Sequence, residues 1–378
     1  MAGTYPSGSG VAVPPRITKA EAFYLPLRYQ PFKNGPYSDQ TLDHILLRLE
    51  TDEGLVGWGE AFGYAAAAMT YVALNQVICP FLIGLQADDI ASTFDTLDQK
   101  LHQAGRHGAV LFALSAVDIA LWDIAGKRAS KSVADLLGGV QRSELPAYAS
   151  LLRIAEAELL RRRVGDARGE GFQAIKLHEI EPKFIITARD AWPIGQEFML
   201  DINCGWDVET MQEMDKLLAD YKPAWFEEPI FPPEDFQTLA ALRQSISVPI
   251  AAGENAGNVY AFEQMISAGA VDVAQPSATK VGGVTGLVKV AQICDQADCR
   301  LVSHCAYFGP GYWANLQFLA SRNDGSLAEF YYVAGLQDSL YGDCEFPRNG
   351  AMHLPDGPGL GIDPDESRVR ALHQPKSA

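Results

Sequence analysis

Three short apolar runs, each closed by an acid, constrain this chain more than any other feature. FMLDINCGWD ends its run at Asp201, PAWFEEPI at Glu227 and VPIAAGEN at Glu254, spaced 26 and 27 residues apart. A helical-looking stretch fills each gap, so a strand–acid–helix unit repeats. Parallel strands joined by crossover helices bring all their C-terminal ends to one side of the sheet. In a closed barrel the three carboxylates would therefore converge on one mouth. A single acid at such a place reads as a helix N-cap; three at matched spacing read as a metal site. Oxygen ligands with no His or Cys among them suit Mg²⁺ rather than zinc.

The same rhythm extends in both directions. Strands are expected near 147–152, 172–177, 198–203, 223–227, 248–253, 271–275, 300–304 and 327–331. Eight strands in about 185 residues, with helices between, read as a (β/α) barrel of eight full units. Ahead of them, RITKAEAFYLP (16–26) and LDHILLRLE (42–50), followed by GLVGWGEA, read as an antiparallel meander, and 65–139 as helical. LFALSAVDIALWDIAGK has helical spacing and a stop signal at Gly126, which assigns Trp122 and Asp123 to packing and capping. The expected division is an α+β capping domain over 16–144, a barrel over 145–344 and a tail over 345–378 whose HLPDGPGLGI returns to the cap. RYQPFKNGPYSDQ, between the first two strands, is long and polar. Its stretch Tyr29 to Asp39, with Arg28 at the edge, reads as a lid that selects substrate.

Composition narrows the function. A length of 378 residues suits one large domain and one small one. The formal charge of −17 argues against a nucleic-acid partner. It leaves room for an anionic small molecule, because a divalent metal and lysines invert the local field. No apolar run reads as long enough to span a membrane, and no signal peptide is recognised. The six cysteines are scattered, and no second pair answers Cys294 and Cys299. That usage fits a reducing cytoplasm rather than a zinc knuckle. Residues 1–15 are rich in Gly, Ser and Pro and read as disordered or strapped loosely to the surface.

Period-two alternation in GFQAIKLHE puts Lys176 and His178 on one face at the end of the second barrel strand. A lysine beside a metal and another cation has its pKa lowered, as a base requires; histidine titrates near 6.5 unaided. RLVSHCAYFGPG closes the seventh strand on His304. Lys176, His178 and His304 are the expected catalytic groups. Ser277 lies just beyond the sixth strand, Lys280 further into that loop as a second base or a helix-start cation, and Glu329 closes the eighth strand. With Arg28, Tyr29 and Asn203 they make up the expected substrate contacts.

The pieces LDINCGWD, WFEEP, GEN, VGGVTG, ALWDIAGK and PDGPGLGI fall in order across nearly the whole chain from about residue 16. Together they resemble the enolase superfamily, and more narrowly the mandelate racemase/muconate-lactonizing-enzyme group. The resemblance implies a modified TIM barrel, (β/α)₇β, under an α+β capping domain formed by the N-terminal part and the C-terminal tail. It implies Asp201, Glu227 and Glu254 as Mg²⁺ ligands, with Glu228 supporting them. Two positions depart from the family pattern. Where members often carry a second lysine, this chain has His178. Where racemase-like members end strand six in an Asp that supports the strand-seven His, and lactonizing members in a Lys base, this chain has Ser277. An imidazolium without that Asp is a better acid, and its neutral form a weaker base.

The implied chemistry is abstraction of the proton α to a carboxylate through an enediolate, read here as dehydration of a sugar acid. Racemisation, epimerisation or cycloisomerisation of a carboxylic acid are the alternatives. A catalytically silent barrel that binds Mg²⁺ and an anion is the alternative from another class. The expected partner is a small-molecule carboxylate, with neither nucleic acid nor membrane, and the expected assembly a homo-oligomer.

Overall fold

The first layer is an antiparallel sheet whose buried face is aliphatic. β1 (Ile17–Gln30) pairs with β2 (Gln40–Thr51), and β2 with β3 (Val56–Ala61). Leu25, Ile45, Leu47 and Leu49 are fully buried in it. The computed structural model describes residues 14–31, 40–342 and 346–375. Most of the expected lid, residues 32–39, lies outside them, as do residues 1–13.

The helix Ala109–Ala129 lies directly on β3. A Cβ at Gly57 or Gly59 would overlap the helix backbone at Ala120 and Ala116, so only glycine permits this approach. Sequence reasoning stops this helix at Gly126, but it runs to Ala129 and ends on Ser130 in a left-handed conformation, φ 52°. Gly126 is instead a packing glycine, because a Cβ there would meet Gly359 of the C-terminal segment. The helix also overturns the expectation that no apolar run reaches membrane-spanning length. It and the helical segment Tyr64–Leu82 are both long and apolar enough. The first has 78% of that stretch buried inside the protein, the mark of a core helix; the second has 39%.

The barrel follows as eight strands: β4 (Glu144–Leu151), β5 (Ala174–Leu177), β6 (Glu197–Asp201), β7 (Phe226–Glu227), β8 (Ile250–Ala252), β9 (Val273–Ala274), β10 (Arg300–Leu301) and β11 (Ala328–Tyr331). They form one parallel sheet in the order β10-β9-β8-β7-β6-β5-β4-β11. Side chains and loop backbone bridge the remaining gap between β10 and β11. Cys305 N–H donates to Glu329 Oε2 at 2.7 Å, and Ser326 Oγ to Leu301 O at 2.8 Å. Helices follow the first seven strands only, the last of them Pro310–Ala320. After β11 the chain passes to β12 (Gly335–Leu336), which pairs with β1 of the cap. The barrel is therefore (β/α)₇β, and the count of eight full units from strand spacing is one helix too many. Tyr148, Met199, Trp225, Val273 and Val302 fill its interior below the mouth.

β13 (Ala351–His353) pairs antiparallel with β4. Beyond it the chain crosses to the cap: Leu360 N–H donates to Asp123 Oδ1 at 2.9 Å and Gln374 N–H to Tyr24 O at 2.9 Å.

Candidate active site

Because all eight strands run parallel, their last residues share one rim, and there the acids meet. Asp201, Glu227 and Glu254 each offer a carboxylate oxygen within 4.8 Å of the others. The backbone around them is unusual. Asn203 (φ 48°), Cys204 (φ 59°) and Glu228 (φ 41°) are all left-handed without being glycine. Side chains seldom adopt that region, and when they do, the surrounding structure holds them there for a reason. Here the turns aim the acids into the mouth.

Each carboxylate is pinned by donors. Asp201 Oδ1 accepts the Asn203 N–H at 3.0 Å. Glu227 Oε2 accepts Gln275 Nε2 at 2.7 Å and Trp225 Nε1 at 3.2 Å. Glu254 Oε2 lies 2.9 Å from His304 Nε2, and its Oε1 accepts Asn255 Nδ2 at 3.2 Å. Lys176 is fully buried, with Nζ 2.9 Å from Glu227 Oε1, 2.9 Å from Glu329 Oε1 and 3.4 Å from Asp201 Oδ2.

Two histidines bracket this acidic row. His178 Nε2 stands 3.2 Å from Asp201 Oδ2, and its Nδ1 2.6 Å from Leu151 O. A carbonyl oxygen only accepts, so Nδ1 carries hydrogen, while Nε2 faces the Asp201 carboxylate and shares a proton with it. His304 presents Nε2 to a carboxylate, which fixes a proton there, while its buried Nδ1 has no partner among the described residues. Both rings line a cavity of about 260 Å³, together with Asp201, Asn203, Glu254, Ser150, Leu152, Ala306, Glu329, Phe62, Tyr64 and Tyr331.

The electrostatics follow from this crowding. Burial and the neighbouring Asp201 push Glu227 up to about 7 against the pull of Lys176. Burial and Glu254 raise Glu228 well above the carboxylate range. Burial would raise Asp201 too, but Lys176 and His178 hold it low. Burial disfavours charge on Lys176, yet Glu227 and Glu329 raise its pKa well above the usual lysine value. For both histidines burial is likewise outweighed, by Asp201 at His178 and by Glu254 at His304. Buried like charges that force carboxylates toward protonation are relieved by a divalent cation. The all-oxygen donor set fits Mg²⁺.

The structure thus brings together Asp201, Glu227, Glu254, Lys176, His178, His304, Asn203 and Glu329. Lys176 lies beneath the cavity lining, caged by three carboxylates, and does not face the cavity as a free amine. Ser277 and Lys280 are buried outside the lining, Ser277 against Tyr307 OH at 3.1 Å and Lys280 against Asn255 Oδ1 at 3.1 Å. Arg28 turns from the cavity to Asp338, with Nε 2.8 Å from Oδ2. Tyr29 reaches its edge through a ring contact with Tyr331, centroids 6.1 Å apart. Sequence reasoning missed Trp225, although period two places it on the face of Glu227, and Gln275. It also missed Phe62 and Tyr64, for which the sequence carries no signal beyond following β3.

Residues 19–138 match the family model described as mandelate racemase / muconate lactonizing enzyme, N-terminal domain, and residues 159–368 match enolase C-terminal domain-like. The D-galactarolactone cycloisomerase of Agrobacterium fabrum is 31% identical over 95% of this chain and 99% of its own length. The D-galactonate dehydratase of Klebsiella pneumoniae is 30% identical over 94% of this chain and 93% of its own. Among solved structures, a mandelate racemase/muconate lactonizing protein from Paracoccus denitrificans complexed with magnesium superposes with a TM-score of 0.85 at 27% identity. That match covers 94% of this chain and 98% of the other.

Proposed function

The chain belongs to the mandelate racemase/muconate lactonizing enzyme family of the enolase superfamily, and from that premise we propose that it dehydrates a sugar acid. The observation that carries this reading is the pair of histidines on one cavity, His178 anchored at Nδ1 by a backbone carbonyl and His304 with Nδ1 unpartnered among the described residues. His178, its Nδ1–H held by the Leu151 carbonyl, acts in its neutral form as the base for the proton α to the carboxylate, through Nε2. His304, carrying a proton on Nε2, delivers it to the departing β-hydroxyl, which leaves as water. The resulting enol tautomerises to a 2-oxo-3-deoxy acid.

Asp201, Glu227 and Glu254 would hold Mg²⁺. When bound, it supplies positive charge against the second negative charge the substrate carboxylate gains on losing its α-proton. Lys176, kept charged by Glu227 and Glu329, adds fixed positive charge at the same end. Phe62, Tyr64 and Tyr331 wall the other side, restrict water and present flat faces to the carbon skeleton of a sugar acid.

A second reading, cycloisomerisation of a sugar lactone, is favoured by the unpartnered His304 Nδ1 and by the relative of that name. Among the described residues no carboxylate meets His304 Nδ1 to support Nε2 as a second base, and lactone opening needs only one.

Proton NMR of a panel of aldonates, aldarates and their lactones, each incubated with enzyme and Mg²⁺, separates the two. Dehydration yields the methylene signals of a 3-deoxy product; cycloisomerisation yields an isomer of unchanged mass. Absence of both with every acid would contradict the proposal.

A further inference from the structure

We propose that Lys280 and Asn255 form a positioning pair for the carboxylate cluster, with Lys280 fixing which way the Asn255 amide faces. The inference rests on reading Asp201, Glu227 and Glu254 as a cation site, and goes beyond it to residues outside the cavity lining.

Lys280 sits in the loop after β9 and is 6% exposed. Among the described residues no carboxylate oxygen comes within ion-pairing distance of it, unlike Lys176. Its one hydrogen-bond acceptor among the described residues is Asn255 Oδ1, at 3.1 Å. Otherwise the ammonium lies over Phe62, 4.5 Å from the ring centroid, with Phe112 at 5.9 Å. Burying an ammonium away from a paired carboxylate is unfavourable, and cation–π contact offsets only part of that. A compensating role is therefore called for.

That role follows from donor and acceptor chemistry. An ammonium can only donate, so the Asn255 oxygen is committed to Lys280 and its NH₂ group must turn the other way. It turns to the acids: Nδ2 lies 3.0 Å from Glu228 Oε1, 2.9 Å from Glu228 Oε2 and 3.2 Å from Glu254 Oε1. Glu254 is thereby held at both oxygens, by Asn255 and by His304. Glu228, 2% exposed and left-handed at its own backbone, has among the described residues only the Cys204 thiol beside this amide as a side-chain donor, at 3.9 Å. Without Lys280 the amide is held from one side only, by its NH₂ contacts to Glu228 and Glu254, and Glu254 loses part of its fixed orientation.

A rival account makes Lys280 a mere counter-charge. The two accounts predict opposite signs, because removing a cation near a divalent-ion site strengthens Mg²⁺ binding by Coulomb's law. Calorimetric titration of Mg²⁺ without substrate therefore tests the pair, using the wild type, Lys280→Met, Asn255→Leu and the double variant. Partners of ligating groups typically change metal affinity by about 10–100-fold. Positioning predicts that each single variant raises the Mg²⁺ Kd at least about tenfold, and that the double variant is no worse than Asn255→Leu alone. Thermal melts without Mg²⁺ check each fold. Should Asn255→Leu not fold, Asn255→Ala, which leaves space instead of bulk, takes its place. Unchanged or tighter Mg²⁺ binding in Lys280→Met, or losses that simply add, would overturn the pair while leaving the cation site standing. Absence of Mg²⁺ binding in the wild type would overturn both.

Discussion

His304 Nε2 lies 2.9 Å from Glu254 Oε2, so the histidine in the loop after β10 shares a carboxylate with the proposed cation site. His178 and Asp201 repeat the relationship at the other end of the acidic row, at 3.2 Å. Each histidine is thus set by a group that also sets the charge of the centre. In the proposed mechanism, acid–base chemistry and cation binding meet at the same carboxylates.

Cation binding should therefore register in stability. A ligand at a hundred times its Kd stabilises a fold by about 2.7 kcal/mol. Saturating Mg²⁺ is expected to raise the melting temperature of the wild type. In Asp201→Asn, which removes one of the three converging carboxylates, most of that rise should disappear and turnover with it. An equal rise in both proteins would place the ion elsewhere.

Tyr64 separates backbone strain from recognition. It is left-handed at φ 52°, stacks on Phe62 with ring centroids 5.1 Å apart, and donates its hydroxyl to Ala306 O at 2.9 Å. Glycine suits that backbone and alanine does not, a difference of roughly 1–2 kcal/mol. Both Tyr64→Gly and Tyr64→Ala should raise KM and admit bulkier acids, because both remove the same wall. The glycine variant should melt at the higher temperature. Equal melting temperatures would show that the conformation carries no strain.

Asp118 makes stability depend on pH away from the active site. Burial pushes its carboxyl up to about 7 from an ordinary 3.8, and Oδ2 has no partner among the described residues. The folded chain therefore holds this proton more tightly than the unfolded chain does. The stability this confers is complete below the unfolded value and is lost as pH rises through about 7, at up to about 1.4 kcal/mol per pH unit. Asp118→Asn keeps an oxygen for the Thr285 N–H, which lies 3.0 Å from Oδ1, and carries no charge. Its melting temperature relative to the wild type should climb between pH 5 and pH 8. A flat difference would mean that Asp118 titrates normally.

The strand ends were legible because two regularities act together. Parallel crossover connections put chain-distant ends on one rim, and the spacing of Asp201, Glu227 and Glu254 reports those crossovers. Alternation likewise placed Lys176 and His178 on one face. Contacts set by barrel closure were not legible. Glu329 on β11 reaches Lys176 on β5 across β4, and that meeting turns an expected free amine into a caged cation. Arg28 and Asp338 pair across 310 residues of chain, a distance no local pattern encodes. Phe62 and Tyr64 enter the cavity because the cap docks where it does. Gly126 misled for a related reason: its missing side chain serves the Gly359 backbone rather than a helix end.

Hydrogen–deuterium exchange at the α-carbon of a substrate acid, followed by NMR in deuterated buffer with Mg²⁺, tests the division of labour between the two histidines most directly. General acid–base groups of this kind contribute about 10²–10⁴-fold. The account predicts that His178→Asn loses both exchange and product formation by such factors. His304→Asn should lose product formation by a similar factor and keep α-proton exchange near the wild-type rate. Exchange that survives in His178→Asn and vanishes in His304→Asn would contradict the assignment of base and acid.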